Sequence, residues 1–182
     1  MTNKYILPPL TKTLLQLIAE VGQAGVDFYT MLYDLKYHRG WYRQGGHGNV
    51  LEMKRLYEKK YAQQALDQLK RSNFVKTNRL GKKLMVTLTK KGVEHTLITK
   101  LRQSPKSNHG YTVVIFDIPQ SQNQARRQFR WLLKQGGFKK LQQSVWVSEA
   151  DNHRLLSEFI ENMKLESWIN VFYGTNFFKL HL

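Results

Sequence analysis

An α+β fold in two domains is what this 182-residue sequence predicts. Three observations carry that prediction. Apolar residues recur at helical spacing through the first half and then switch to strand spacing around a glycine turn. The second half opens on an apolar strand run and alternates strand and helix patterns to its end. Between them, QSPKSNHG over Gln103–Gly110 collects Ser, Pro, Asn and Gly, the composition of a connector with no side chains to bury. The expected division is 1–103, a linker at 104–110, and 111–182, and two domains of ~80 to 100 residues are large enough to hold cores without disulfides or metals.

In the first domain, Leu14, Leu17, Ile18 and Val21 fall at i, i+3, i+4 and i+7, the stripe of an amphipathic helix closed by Gly22 and Gly25. Phe28–Tyr37 is compatible with a second helix, and RGWYRQGGHGN over Arg39–Asn49 reads as a basic, aromatic, glycine-rich loop. A third helix spans about Glu58–Ser72, with Ala62, Ala65, Leu66 and Leu69 facing inward. The period then changes. Phe74–Asn78 and Leu84–Leu88 form two short strands around Gly81, and Thr89 caps a closing helix through Leu101, with Leu88 and Val93 at the staple positions. Helix, helix, basic helix, hairpin, helix is the order of a winged helix-turn-helix.

In the second domain, YTVVIF over Tyr111–Phe116 is a buried-strand run, stopped by Asp117, Ile118 and Pro119. Ser121 and Gln124 have capping-box spacing, and Ala125, Phe129, Leu132, Leu133 and Gly136 trace the inner face of the helix they open. FKKLQQSVWV over Phe138–Val147 suits two strands or one bent strand. Leu155, Leu156, Phe159, Ile160 and Met163 mark a second helix, and WINVFYG and FFKLHL read as further strands. The order βαββαβ is ferredoxin-like.

Composition narrows function. The formal charge is +16, and its placement is uneven: residues 1–107 hold 20 Lys and Arg against 7 Asp and Glu, residues 108–182 hold 9 against 6. A polyanion is the natural partner of such a surface, above all of its first half, although basic soluble proteins share such totals. The absence of cysteine removes disulfides, thiolate zinc sites and thiol nucleophiles. Pro8, Pro9 and Lys12 interrupt the apolar start, so no export signal is expected, and no run approaches the ~18 apolar residues of a membrane span. A cytoplasmic protein with no membrane partner is expected.

The expected DNA contacts are Lys59, Lys60, Gln63, Gln64, Gln68, Lys70 and Arg71 on the third helix, Arg79, Lys82 and Lys83 at the hairpin, and Arg39 and Arg43 in the glycine-rich loop. Lys and Arg neutralise phosphates, and Gln can pair with adenine edges in the major groove. The competing reading is a solvated helix face. His38, Trp41, Tyr42 and His47 interleave the loop's cations, a composition that serves base stacking or simply pins the loop to its domain. With ~4 phosphates neutralised per protomer, a dimer would show a log–log salt slope near about −7.

The second half also carries a family resemblance. YTVVIFDIP, ARRQFRWLLKQGGFKKLQQSVWV and the final FFKLHL resemble the domain shared by the small endonuclease subunit of CRISPR adaptation complexes and the PaaX-like transcriptional repressors, in which this domain follows a winged helix. The resemblance implies a homodimer on double-stranded DNA, with Phe138, Val145 and Trp146 on strands that contribute to the dimer contact, although core is their default role. It implies no cofactor, and the effector of those repressors is not carried over. The nuclease relatives imply an alternative, in which Asp117 from two protomers holds Mg²⁺ or Mn²⁺ for phosphodiester hydrolysis. Against it, one carboxylate per chain is a thin hard-metal site, and Asp117 can equally cap backbone groups or pair with Arg126 or Arg127.

Overall fold

The structure, a computed structural model, describes residues 7–21, 25–37, 54–56 and 58–176. The chain divides into two compact units, Met1–Thr96 and Leu97–Leu182. The loop expected over Arg39–Asn49 and the strand expected from FFKLHL lie outside the described residues.

The first unit begins with α1 (Pro9–Val21), whose Pro9 stands at the first helical position, where a missing N–H costs nothing. Leu14, Leu15, Leu17 and Ile18 enter the core. Val21, expected on the same stripe, is 43% exposed, because at the last residue of the helix the core has ended. A two-residue strand β1 (Val26–Asp27) leads into α2 (Phe28–Tyr37). Asp27 holds this junction: its carboxylate accepts from the Thr30 hydroxyl at 2.7 Å and from the Leu84 backbone N–H at 3.1 Å.

After a helical turn at 54–56 comes α3 (Lys59–Arg71), which buries Ala62, Ala65, Leu66 and Leu69, the four residues its periodicity selects. It ends in a Schellman motif. Asn73 takes φ 57°, its N–H bonds to the Lys70 carbonyl, and the Phe74 N–H bonds to the Leu69 carbonyl at 2.9 Å. The buried Phe74 ring completes the stop and starts the hairpin of β2 (Val75–Leu80) and β3 (Lys83–Leu88). The strands join through Gly81 and Lys82, with Gly81 at φ 59°, the positive angle a two-residue hairpin needs at its first central position. The sheet order is β1-β3-β2, all antiparallel.

The closing helix α4 (Lys90–Gln103) is capped as expected, with Thr89 Oγ1 accepting from the Gly92 N–H at 3.1 Å. The same hydroxyl donates to the Asn73 carbonyl at 2.7 Å. Lys91 donates to the Ser72 carbonyl at 2.9 Å and lies 4.9 Å from the Phe74 ring centroid. The unit boundary falls inside α4, and Leu97 and Leu101 belong to the core of the second unit.

The segment expected as a linker is tied down within the second unit. The Ser107 N–H bonds to the Glu149 carbonyl, the Asp151 N–H bonds to the Pro105 carbonyl, and Lys106 pairs with Glu149 at 3.0 Å. Then come β4 (Tyr111–Phe116), a 3₁₀ turn at Gln120–Gln122, α5 (Asn123–Gln135), β5 (Lys139–Gln142), β6 (Val145–Ser148), α6 (His153–Met163) and β7 (Ile169–Gly174), in the order βαββαβ. The strands form one antiparallel sheet, β5-β6-β4-β7. The capping box expected at Ser121 does not form. The 3₁₀ turn occupies Ser121, α5 starts two residues later, and its N-cap position makes no side-chain cap.

Val114, Phe116, Trp146 and Ile169 share a core with Phe129, Leu132 and Leu133 of α5 and with Leu156 and Ile160 of α6. At one edge Gly110, at φ 98°, lies so close to β7 that a Cβ would come within 2.5 Å of the Gly174 carbonyl oxygen. Below it, the buried Thr112 hydroxyl donates to the Ala150 carbonyl and accepts the Asn152 N–H, joining β4 to the start of α6.

Candidate nucleic-acid interface

Burial of the alanine and leucine face of α3 dictates what its other face presents. Lys59, Lys60, Gln64, Lys70 and Arg71 are all exposed, and Asp67 is the single acid of the helix. Lys60, Gln64, Asp67 and Arg71 lie at i, i+4, i+7 and i+11, which at 3.6 residues per turn is one stripe, its single carboxylate accepting from Gln63. Lys59 flanks it, with its ammonium 5.3 Å from the Tyr29 ring centroid.

The other two glutamines expected as base readers are engaged within the protein. Gln63 donates to Asp67 at 3.2 Å. Gln68 accepts from the buried Thr11 hydroxyl at 2.8 Å, so its side chain is turned to α1 and fastens α1 to α3. Of the three, Gln64 alone stands exposed on the open stripe.

On the hairpin, Arg79, Lys82 and Lys83 are exposed, as is Leu80 at the tip. Register separates them. Leu80 pairs with Lys83, Asn78 with Met85 and Lys76 with Thr87 on one face, whereas Arg79 pairs with Leu84 on the other. Lys76 is therefore an exposed cation on the same face as Lys83. Sequence reading passed over it, although the alternation of VKTNRL carries the signal. Arg39 and Arg43 lie outside the described residues.

In the second unit Asp117 is exposed at the end of β4, where its backbone N–H bonds to the Trp168 carbonyl at 2.8 Å. It forms no ion pair with Arg126 or Arg127, and no group of three His, Asp or Glu that could hold a metal occurs among the described residues. Phe138 and Trp146 are core residues, 4% and 6% exposed, packed with the helices. Val145 alternates to the opposite face of the sheet, beside its cross-strand partner Ile115. That face also carries Phe172, and Ile115 and Phe172 are 39% and 42% exposed.

The family model of the PaaX protein central Cas2-like domain matches residues 104–180. Residues 104–180 thus carry a PaaX-type Cas2-like domain. The match covers all four strands of the second sheet and both of its helices, so this Cas2-like domain is the βαββαβ unit just described. No curated protein matches this chain. Among its described residues no helix is long and apolar enough to cross a membrane.

Proposed function

We propose that this chain is a sequence-specific, duplex-DNA-binding transcriptional regulator, a repressor, acting in the cytoplasm as a homodimer. The observation that carries the reading is the exposed stripe Lys60, Gln64 and Arg71 on α3, immediately followed by a hairpin with Lys82 and Lys83 at its turn. The order α1-β1-α2-α3-β2-β3, with β1 paired to β3, supports a winged helix. In that arrangement α3 lies in the major groove and the hairpin touches the neighbouring backbone. Placement of such a unit before a PaaX-type Cas2-like domain is the order found in PaaX-like repressors, and it favours a regulator.

The second unit supplies the pairing. Ile115, Val145 and Phe172 make an apolar strip on the sheet face opposite the helices, and we assign the dimer contact to it, with Phe138 and Trp146 supporting it from the core side. Phe172→Asp places an unpaired charge in that contact and is expected to raise the dimer dissociation constant by at least about thirtyfold. Phe172 is substantially exposed, so the fold should persist. Sedimentation velocity with a parallel melting curve reads both, and an unaltered dimer would move the contact elsewhere.

The direct test is selection of random duplex DNA by the purified chain, with and without Mg²⁺. A palindromic consensus on intact strands, with half-sites about one helical turn or a multiple of it apart, is the expected result. Cutting that requires the metal, is lost in Asp117→Asn and has no consensus would replace regulation with nuclease activity.

A further inference from the structure

α5 of the Cas2-like unit carries four cations, Arg126, Arg127, Arg130 and Lys134, and no acid. At 3.6 residues per turn Arg127, Arg130 and Lys134 fall on the side away from the buried Phe129, Leu132 and Leu133, and Trp131 falls beside them. The Trp131 side chain is 52% exposed, the largest aromatic surface given to solvent among the helices of this unit.

Among the described residues no carboxylate pairs with these charges. The Arg130 guanidinium lies over the Phe116 ring at 5.7 Å, and its Nε and Nη2, with the Nε of Arg126, are covered and lack an acceptor. Arg126 and Arg130, and Arg130 and Lys134, also stand one turn apart, where like charges repel. Covered donors without acceptors are rare in native proteins and leave these two guanidinium groups under-satisfied.

The pattern on the face selects among anionic partners. Arg127 and Lys134 are seven residues apart, about 10 Å along the helix axis. That matches about three nucleotide steps at about 3.4 Å each. An exposed indole within a row of guanidinium and ammonium groups suits a sugar or base face flanked by phosphates. We propose that the outer face of α5 is a second nucleic-acid contact, with Arg127, Arg130 and Lys134 on phosphates along three steps of one strand and Trp131 against a sugar between them. The contact uses no residue of the first unit and stands apart from the reading of α3.

The test uses the full chain and a fluorescent duplex of random sequence, with binding followed by anisotropy across a salt series. Arg127→Gln, Trp131→Ala and Lys134→Gln together change only exposed positions. Each lost phosphate contact removes about 0.9 from the log–log salt slope, so the slope should become shallower by about 2 per bound protomer. Affinity at about 0.1 M salt should fall at least about tenfold.

Unchanged slope and affinity in a triple variant with wild-type melting would overturn the proposal, as would loss of self-association with DNA binding intact, which would make the face a protein contact. If the triple variant melts early, Arg127→Gln alone should still lower the slope by about 0.9, and an unaltered slope there overturns it as well. A parallel series with Lys60→Glu and Lys83→Glu separates the two readings. Loss only in that pair leaves α3 as the contact and rejects α5, and loss only in the α5 variant does the reverse.

Discussion

Lys60→Glu combined with Lys83→Glu should remove specific duplex binding, with affinity at about 0.1 M salt falling at least about a hundredfold. Both side chains are exposed, one at the start of α3 and one at the first residue of β3, so neither supports the core. On the proposed reading each reversal deletes a phosphate contact and puts a carboxylate against the backbone, and in a dimer the change is made twice. Four lost contacts reduce the log–log salt slope by about 3.6, before repulsion is counted. Electrophoretic mobility shift on the selected consensus, with circular dichroism to establish folding, is the measurement. A folded variant that binds like the parent would reject α3 and the hairpin as the DNA-reading surface.

Gly92→Ala should destabilise the first unit by roughly 3 kcal/mol, the upper range for forcing added volume into a packed site. Gly92 lies in the first turn of α4, where alanine normally favours a helix. Here a Cβ would come within 2.1 Å of the Phe74 carbonyl oxygen. That oxygen already accepts the Thr89 N–H at 2.9 Å, so neither chain can retreat without breaking the cap. Urea unfolding of the full chain, read from the first transition, would show the loss. An unchanged midpoint would mean that α4 can shift away from the hairpin at little cost.

These cases also show what could be read from sequence. The inner face of α3 was legible because Ala62, Ala65, Leu66 and Leu69 repeat at helical period and nothing competes with that pattern. The Thr89 cap was legible for the same local reason. The fate of Gln68 was not, because its partner Thr11 is 57 residues away and polar periodicity looks alike whether a side chain meets water or another helix. At Ser121 the capping-box spacing was present, but a 3₁₀ turn used those residues to leave β4. Strand parity explains the dimer candidates. YTVVIF is apolar on both faces, so no alternation indicates which side of the sheet the helices cover, and Val145 could not be told from Trp146 until the register was known.

The hydrogen bonds that Thr89 and Lys91 make to the end of α3 close loops of only 15 to 19 residues. The bond from Thr11 to Gln68 closes one of 57. Closure entropy grows with the logarithm of loop length, so the longer connection costs about 1 kcal/mol more to form. The segment from α3 through the hairpin to α4 is thus cheaper to close than the contact that fastens α1 to α3.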